Sequence, residues 1–140
     1  MLLLLAAARA GAAPPQPPLD DALRQPFVAL LRDAVRAGSR LEAAGFVVRL
    51  PHGGYAIVRW PDSETTDEAR WDGAWPPGTV AIVHTHPNWM PLPSRVDRAT
   101  AATGNVVVYV VTRGSITRTS GGAVETVVRG RWFAAQPPLQ

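Results

Sequence analysis

The segment from His84 to Asp97 constrains this chain more than any other part of the sequence. Two histidines, His84 and His86, stand two positions apart at the end of an apolar run, and a proline-rich loop follows them. Ser94 and Asp97 then stand three positions apart where a helix would begin. This is the layout of a three-ligand zinc site with an open fourth position, which is typical of a hydrolytic enzyme rather than of a binding module.

The length and composition predict one folded domain with a normal core. The chain has 140 residues, 46% of them hydrophobic and 18% charged, so disorder is not expected outside the ends. It contains no cysteine, which excludes a disulfide framework, a thiolate nucleophile and a cysteine-based zinc site.

The charge pattern does not predict nucleic-acid binding. The formal net charge is +3 and all 14 basic residues are arginine, but they are scattered from Arg9 to Arg131. No basic run or basic helix face is present, and such a face is what a nucleic-acid partner requires. A nucleic-acid partner is therefore not expected.

The first 18 residues form a possible leader and a spacer. Residues 2–8 are an apolar run, too short to span a bilayer, and small-x-small cleavage patterns follow at 8–10 and 10–12. The run is either an export signal, which would make the protein periplasmic, or a disordered alanine-rich leader, and export is favoured. Residues 13–18 are a stiff proline-rich spacer, and residues 134–140 are predicted to be a loose tail.

Hydrophobic periodicity predicts an α/β domain over residues 19–133. Asp20 and Asp21 suit a helix N-terminus, but Pro26 interrupts the early part, so the firm helix is predicted over 26–37 with Gly38 ending it. The predicted strands and second helix, in chain order, are a hairpin of 46–50 and 55–60, a strand at 79–84, a helix at 94–103, and strands at 106–112, 116–118 and 123–128. The architecture is a mixed sheet flanked by an N-terminal helix and by a helix inserted after the His-x-His strand.

The alternation of side chains along a strand predicts that the two histidines share one face. Residues two apart point the same way, so Val80, Ile82, His84 and His86 are expected on one side, the first two in the core. Two imidazoles at a strand end can take one zinc ion. The alternative is two separate histidines, one packing in the core and one on the surface.

Ser94 and Asp97 have a structural and a functional interpretation. Ser-x-x-Asp at a helix start resembles a capping box, which is a local stabiliser. Asp97 can instead point at the metal as its third ligand, and Ser94 on the same face could donate a hydrogen bond to a forming oxyanion.

Glu42 is the candidate base. It stands in an otherwise apolar stretch just before the first strand, where a carboxylate needs either a task or a path to solvent. The alternative is an exposed glutamate at the end of a helix.

Together these residues resemble the signature of the JAMM (MPN+) metalloproteases, the JAB-domain family. The pattern is, in order, Glu42-x-x-Gly45, then His84-x-His86-Pro87, six residues, and Ser94-x-x-Asp97. The strand-turn-strand at 109–117 also resembles the family, and the likeness covers about residues 25–130. Arg49 departs from the pattern, since family members often carry a second glycine there.

The resemblance implies a small prokaryotic-type member with cytidine-deaminase-like layering. It would be a zinc-dependent peptidase or isopeptidase that hydrolyses an amide or isopeptide bond of a polypeptide with a zinc-activated water. His84, His86 and Asp97 would hold one zinc ion per chain, Glu42 would activate the water, and Ser94 would steady the tetrahedral intermediate. The alternative is a catalytically inactive relative that binds zinc or a protein partner.

The remaining aromatic and histidine residues leave alternatives open. His52, in a glycine-rich turn, is predicted to be an exposed loop residue rather than a fourth ligand. Trp89 and Met90 either line a substrate groove or pack the loop, and packing is favoured. Trp71 and Trp75, in a long loop over 61–78, either flank the cleft or anchor that loop.

Overall fold

The computed structural model describes residues 16–17, 19–36, 42–62, 69, 71–86 and 90–133. Within these ranges the chain forms two helices and one six-stranded sheet, which confirms the predicted mixed α/β architecture. The elements are α1 (Asp21–Arg36), β1 (Ala44–Arg49), β2 (Tyr55–Arg59), β3 (Thr79–Thr85), α2 (Arg95–Gly104), β4 (Val107–Val111), β5 (Ser115–Ser120) and β6 (Ala123–Arg129). Of the predicted leader and spacer at 1–18, residues 1–15 and 18 lie outside the described residues, as does the predicted tail at 134–140.

The strands are ordered β2-β1-β3-β4-β5-β6 across the sheet. β1 and β2 form the predicted antiparallel hairpin, and β4, β5 and β6 form an antiparallel meander. β3 and β4 run parallel because α2 carries the chain back between them. β4 is buried at every position, as its run of β-branched residues predicted for a central strand.

The two helices cover opposite faces of the sheet, and each face has its own apolar cluster. The cluster on the α1 face includes Leu23, Phe27, Leu30, Val47, Ala81, Val83, Tyr109, Ile116 and Trp132. The cluster on the α2 face consists of Ala44, Phe46, Trp60, Ile82, Ala101, Val106 and Val108. Alternate residues of β1, β3 and β4 therefore face different helices.

Helix α1 begins five residues earlier than the sequence predicted, and the expected interruption at Pro26 was wrong. Asp20 caps the helix, since its Oδ1 atom accepts a hydrogen bond of 3.2 Å from the Leu23 amide. Leu23 and Phe27, on either side of the proline, are both fully buried against the sheet. Packing of this apolar stripe outweighs the one backbone hydrogen bond that Pro26 forfeits. The predicted stop at Gly38 lies outside the described residues.

A β-bulge breaks the predicted alternation at Val80. The register between β1 and β3 shifts so that Val47 pairs with Ala81 while Val48 pairs with Thr79. Val80 is the extra residue, and it packs against the α1-face cluster instead of sharing a face with Ile82. The prediction for Val80 was therefore wrong, because one inserted residue reverses the side-chain direction beyond it.

Helix α2 starts and stops where the sequence predicted. Ser94 is its N-cap, and Asn105 ends it in the left-handed conformation with φ 46°. Among the described residues, neither helix is long and apolar enough to cross a membrane.

Gly45 is required by the close approach of the hairpin partner, which gives a first prediction. A Cβ atom at this position would overlap Ile57 Cγ2 and would lie 2.8 Å from the carbonyl oxygen of Val58. Gly45→Ala is therefore expected to lower the free energy of unfolding by about 2 kcal/mol or more, because backbone must move to admit the methyl group. Gly114→Ala is the matched control, since nothing lies within 4 Å of its Cβ position, and should change stability by less than about 0.5 kcal/mol. Urea denaturation of both variants measures the difference, and equal midpoints would contradict the steric argument.

Candidate metal centre

Strand pairing brings the upstream glutamate to the two histidines. Ala44 of β1 pairs with His84 of β3. The pairing continues past the end of β1, where the Thr85 amide donates to the Ala43 carbonyl at 2.9 Å and the Ala43 amide donates to Thr85 Oγ1 at 3.0 Å. Glu42 precedes Ala43 in the chain, so it lies across from His86, at the end of the sheet where β1 begins and β3 ends.

Four side chains meet on the α2 side of this edge. The Nε2 atoms of His84 and His86 are 3.0 Å apart. Asp97, in the first turn of α2, places Oδ1 3.2 Å from His84 Nε2 and Oδ2 3.6 Å from His86 Nε2. A carboxylate oxygen of Glu42 lies within 4.8 Å of ligand atoms of both histidines. The structure thus brings together four of the five residues predicted to share a site.

A backbone carbonyl fixes the orientation of His86. Its Nδ1 atom lies 2.7 Å from the carbonyl oxygen of Met90. A carbonyl oxygen only accepts, so Nδ1 carries the proton and donates it. In the neutral ring the lone pair then sits on Nε2, which faces the cluster, and this is the arrangement that metal-binding histidines adopt.

Asp97 takes part in both of the interactions that the sequence left as alternatives. The Asp97 amide donates to Ser94 Oγ at 3.1 Å, and the Ser94 amide donates to Asp97 Oδ2 at 2.6 Å, which completes the capping box. Oδ1 of the same carboxylate faces His84. Ser94, an exposed residue, therefore caps the helix and orients the Asp97 carboxylate.

Glu42 also receives a hydrogen bond from Ala69, a residue between β2 and β3. The Ala69 amide donates a hydrogen bond of 3.1 Å to Glu42 Oε2. Glu42 is only partly buried, so it is neither a core residue nor the fully exposed helix-end residue of the alternative interpretation.

Burial and mutual contact shift the ionisation of the cluster. Burial raises the pKa of Glu42 above its ordinary value, and the nearby His84 opposes this shift. Burial alone would lower the pKa of His84, but its hydrogen bond to Asp97 reverses the direction and the pKa is raised. Burial also disfavours the charged form of Asp97, yet its contacts with the imidazoles of His84 and His86 hold the pKa of Asp97 far below its usual range.

The donor set fits a zinc-type metal ion. Ligands of a tetrahedral zinc ion, each about 2.0–2.1 Å from the metal, are about 3.3 Å from one another. The 3.0 Å between the two histidine Nε2 atoms and the 3.2 Å from His84 Nε2 to Asp97 Oδ1 lie close to that value, and the other oxygen of Asp97, Oδ2, lies 3.6 Å from His86 Nε2. Glu42, His84 and His86 also form a group that could hold a metal ion. Two imidazoles with carboxylate oxygens are a donor set that zinc accepts.

Of the other singled-out residues, only Trp71 and Trp75 are explained by packing among the described residues. His52 is exposed in the turn between β1 and β2, as predicted. Trp71 and Trp75 both pack on Phe46, which favours the loop-anchor interpretation. Trp89 lies outside the described residues. The Ala69 amide and the Met90 carbonyl were missed, because backbone groups leave no signal in residue identity.

The sheet, the His-x-His pair at the end of β3 and the aspartate in α2 together define a domain of the JAB/MPN class. The Prok-JAB family model, described as prokaryotic homologs of the JAB domain, matches residues 24–125, well over half of the chain. The chain belongs to this family, which confirms the resemblance carried by the motif. The family includes hydrolases as well as inactive members. No curated protein and no solved structure matches the chain significantly.

Proposed function

We propose that the protein is a zinc-dependent metallopeptidase or isopeptidase that hydrolyses an amide or isopeptide bond in a polypeptide. The observation that carries the proposal is the convergence of two imidazoles, the Asp97 carboxylate and the Glu42 carboxylate at one edge of the sheet. A zinc ion bound there would act as a Lewis acid. It would lower the pKa of water, so that water becomes an effective nucleophile at neutral pH, and it would polarise the substrate carbonyl.

We assign the metal ligands to His84, His86 and Asp97. The two Nε2 atoms lie 3.0 Å apart and His84 Nε2 lies 3.2 Å from Asp97 Oδ1, which are spacings that suit ligands of one ion. The Met90 carbonyl and the Ser94 amide support this set, because they orient His86 and Asp97 respectively.

Glu42 acts as the general base in this proposal. It removes a proton from the attacking water and passes it to the leaving amine. Its partial burial favours proton acceptance, since burial makes the charged carboxylate a stronger base. The Ser94 hydroxyl donates to the oxygen that becomes negative as the carbonyl is attacked.

A polypeptide substrate suits the surface beside the cluster. Three exposed apolar residues lie in the seven-residue stretch 90–96. They are Met90, Leu92 and Val96, with 53%, 57% and 48% of their surface exposed. The stretch begins at the residue whose carbonyl contacts His86 and ends just before Asp97. Exposed apolar side chains grouped beside a reactive centre can bind the side chains of an extended polypeptide substrate. Arg95 lies within this stretch, and Arg98 lies two residues beyond its end.

A peptide-library assay tests the proposal. Purified protein with one zinc ion per chain is expected to cleave library peptides, to lose this activity on chelation and to regain it when zinc is restored. Mass spectrometry of the products identifies the cleaved bond, and lysine-branched peptides added to the library distinguish isopeptide from peptide cleavage. Zinc binding without any cleavage would instead support the alternative, an inactive zinc-binding domain.

A further inference from the structure

We propose that Trp71 and Trp75 are positioning residues that hold the neighbouring Ala69, and through its amide the Glu42 carboxylate, in place. The two indoles, packed on Phe46, form what we term the aromatic anchor. The anchor holds the Ala69 amide on the Glu42 carboxylate. This inference rests on the proposed role of Glu42 as the general base.

The first half of the aromatic anchor ties the loop to β1. Trp71 meets Phe46 edge-on with ring centroids 5.1 Å apart, and it also contacts Trp60 at 6.4 Å. Its indole Nε1 donates to the Ala74 carbonyl at 3.2 Å, which closes the loop on itself. Phe46 is fully buried in the strand that begins two residues after Glu42, so the loop is fixed to the element that carries the base.

The second half ties the loop to α2. Trp75 packs on Phe46 with ring centroids 5.6 Å apart. A Cβ atom on Gly104, the last residue of α2, would lie 2.7 Å from Trp75 Cη2, so the ring occupies the space that a side chain would fill. The loop therefore contacts both the strand next to Glu42 and the helix that carries Asp97.

The hydrogen bond from Ala69 has a consequence for proton transfer. An amide that donates to Oε2 fixes the rotation of the carboxylate, and it leaves Oε1 to exchange protons with water and the leaving group. A donor that holds a base in its reactive orientation raises kcat without adding substrate contacts. The effect of losing it should therefore appear in kcat and not in KM.

The first test reads the hydrogen bond directly and needs no activity. In the NMR spectrum of the full chain, the Ala69 amide is expected to exchange with solvent roughly tenfold faster in Glu42→Ala, as loss of a charge-assisted bond requires. Trp71→Leu should accelerate the same exchange and leave the amides of β4 unchanged. An Ala69 amide that is insensitive to both substitutions would overturn the inference.

The second test reads catalysis. Trp71→Leu is expected to lower kcat about tenfold or more with KM and zinc content unchanged, and Trp71→Phe should recover most of the loss because an aromatic edge still meets Phe46. Trp132→Leu is the matched control: this buried indole lies on the α1 face and donates to the Thr112 carbonyl at 2.7 Å. It should lower Tm and leave kcat unchanged below the transition. If Trp71→Leu and Trp132→Leu lower kcat equally, the aromatic anchor has only a structural role.

The two tests separate failure of the inference from failure of the proposed function. If the wild-type protein cleaves no peptide, the enzymatic proposal fails, and the Ala69 amide still decides whether the loop positions Glu42. If the wild type cleaves and Trp71→Leu keeps its kcat, the positioning role is wrong and the enzymatic proposal stands.

Discussion

Replacing Glu42 with glutamine is expected to lower kcat by roughly a hundredfold to ten-thousandfold while one zinc ion per chain is retained. Glutamine keeps the size of the side chain and an oxygen that can accept from the Ala69 amide, but it cannot take a proton from water. Metal analysis and peptide cleavage on the same preparation measure both quantities.

Glu125→Gln provides the matched control for this substitution. Glu125 is an exposed carboxylate on β6 that pairs with Arg118 at 2.7 Å, far from the cluster in the sheet order. An exposed pair contributes little to stability, so this variant should retain both zinc and full kcat.

Two results for Glu42→Gln would contradict the assignment in different ways. Loss of zinc would make Glu42 a ligand, as its membership of a three-residue group with His84 and His86 permits. Retention of full activity would place the base elsewhere. Each result identifies which part of the proposed site is wrong.

Much of the candidate site was predictable because it depends on local pattern. The two-residue periodicity of a strand places His84 and His86 on one face, and the capping box places Asp97 in the first turn of α2. These rules depend only on neighbours in sequence. The meeting of Glu42 with the histidines needs the β1–β3 register, which the sequence does not state and the family resemblance supplied.

The errors arose where tertiary packing overrides local preference. Pro26 carries a strong local signal against a helix, yet the buried residues around it keep α1 continuous. The bulge at Val80 depends on how β3 pairs with a distant strand, so alternation within β3 alone could not reveal it. Residues 69 and 71–78 have no hydrophobic periodicity, and their position next to Glu42 depends on contacts of Trp71 and Trp75 with residues far away in sequence.

The two interpretations of Asp97 proved compatible because a carboxylate has two oxygens with different neighbours. The Ser94 amide donates to Oδ2, while Oδ1 faces His84 Nε2. The capping box therefore also orients the candidate ligand, as a hydrogen bond from outside the coordination shell does in metal sites. A local stabilising motif and a functional motif share the same residues here.

Asp97→Asn separates the cap from the metal-binding role, and it is expected to weaken zinc binding at least about a hundredfold. The asparagine oxygen can still accept from the Ser94 amide, so α2 stays capped, while its NH₂ group turns toward His84 and offers no lone pair to a metal ion. Wild-type protein at a free zinc concentration 100 times the Kd gains about 2.7 kcal/mol of stability, and Tm should rise by roughly 10 °C. In Asp97→Asn most of that rise should disappear.

The control for this variant is a carboxylate that cannot reach the cluster. Asp33 on α1 pairs with Arg59 at 2.6 Å on the exposed surface, so Asp33→Asn should keep the full zinc-dependent rise in Tm. His84→Ala should abolish the rise, because His84 belongs to both of the ligand sets that the geometry allows. If Asp97→Asn keeps the rise while His84→Ala loses it, Asp97 is only a helix cap and Glu42 is the third ligand. Since a glutamate held on the metal cannot also serve as the free base, that outcome would favour an inactive zinc-binding domain over the proposed hydrolase.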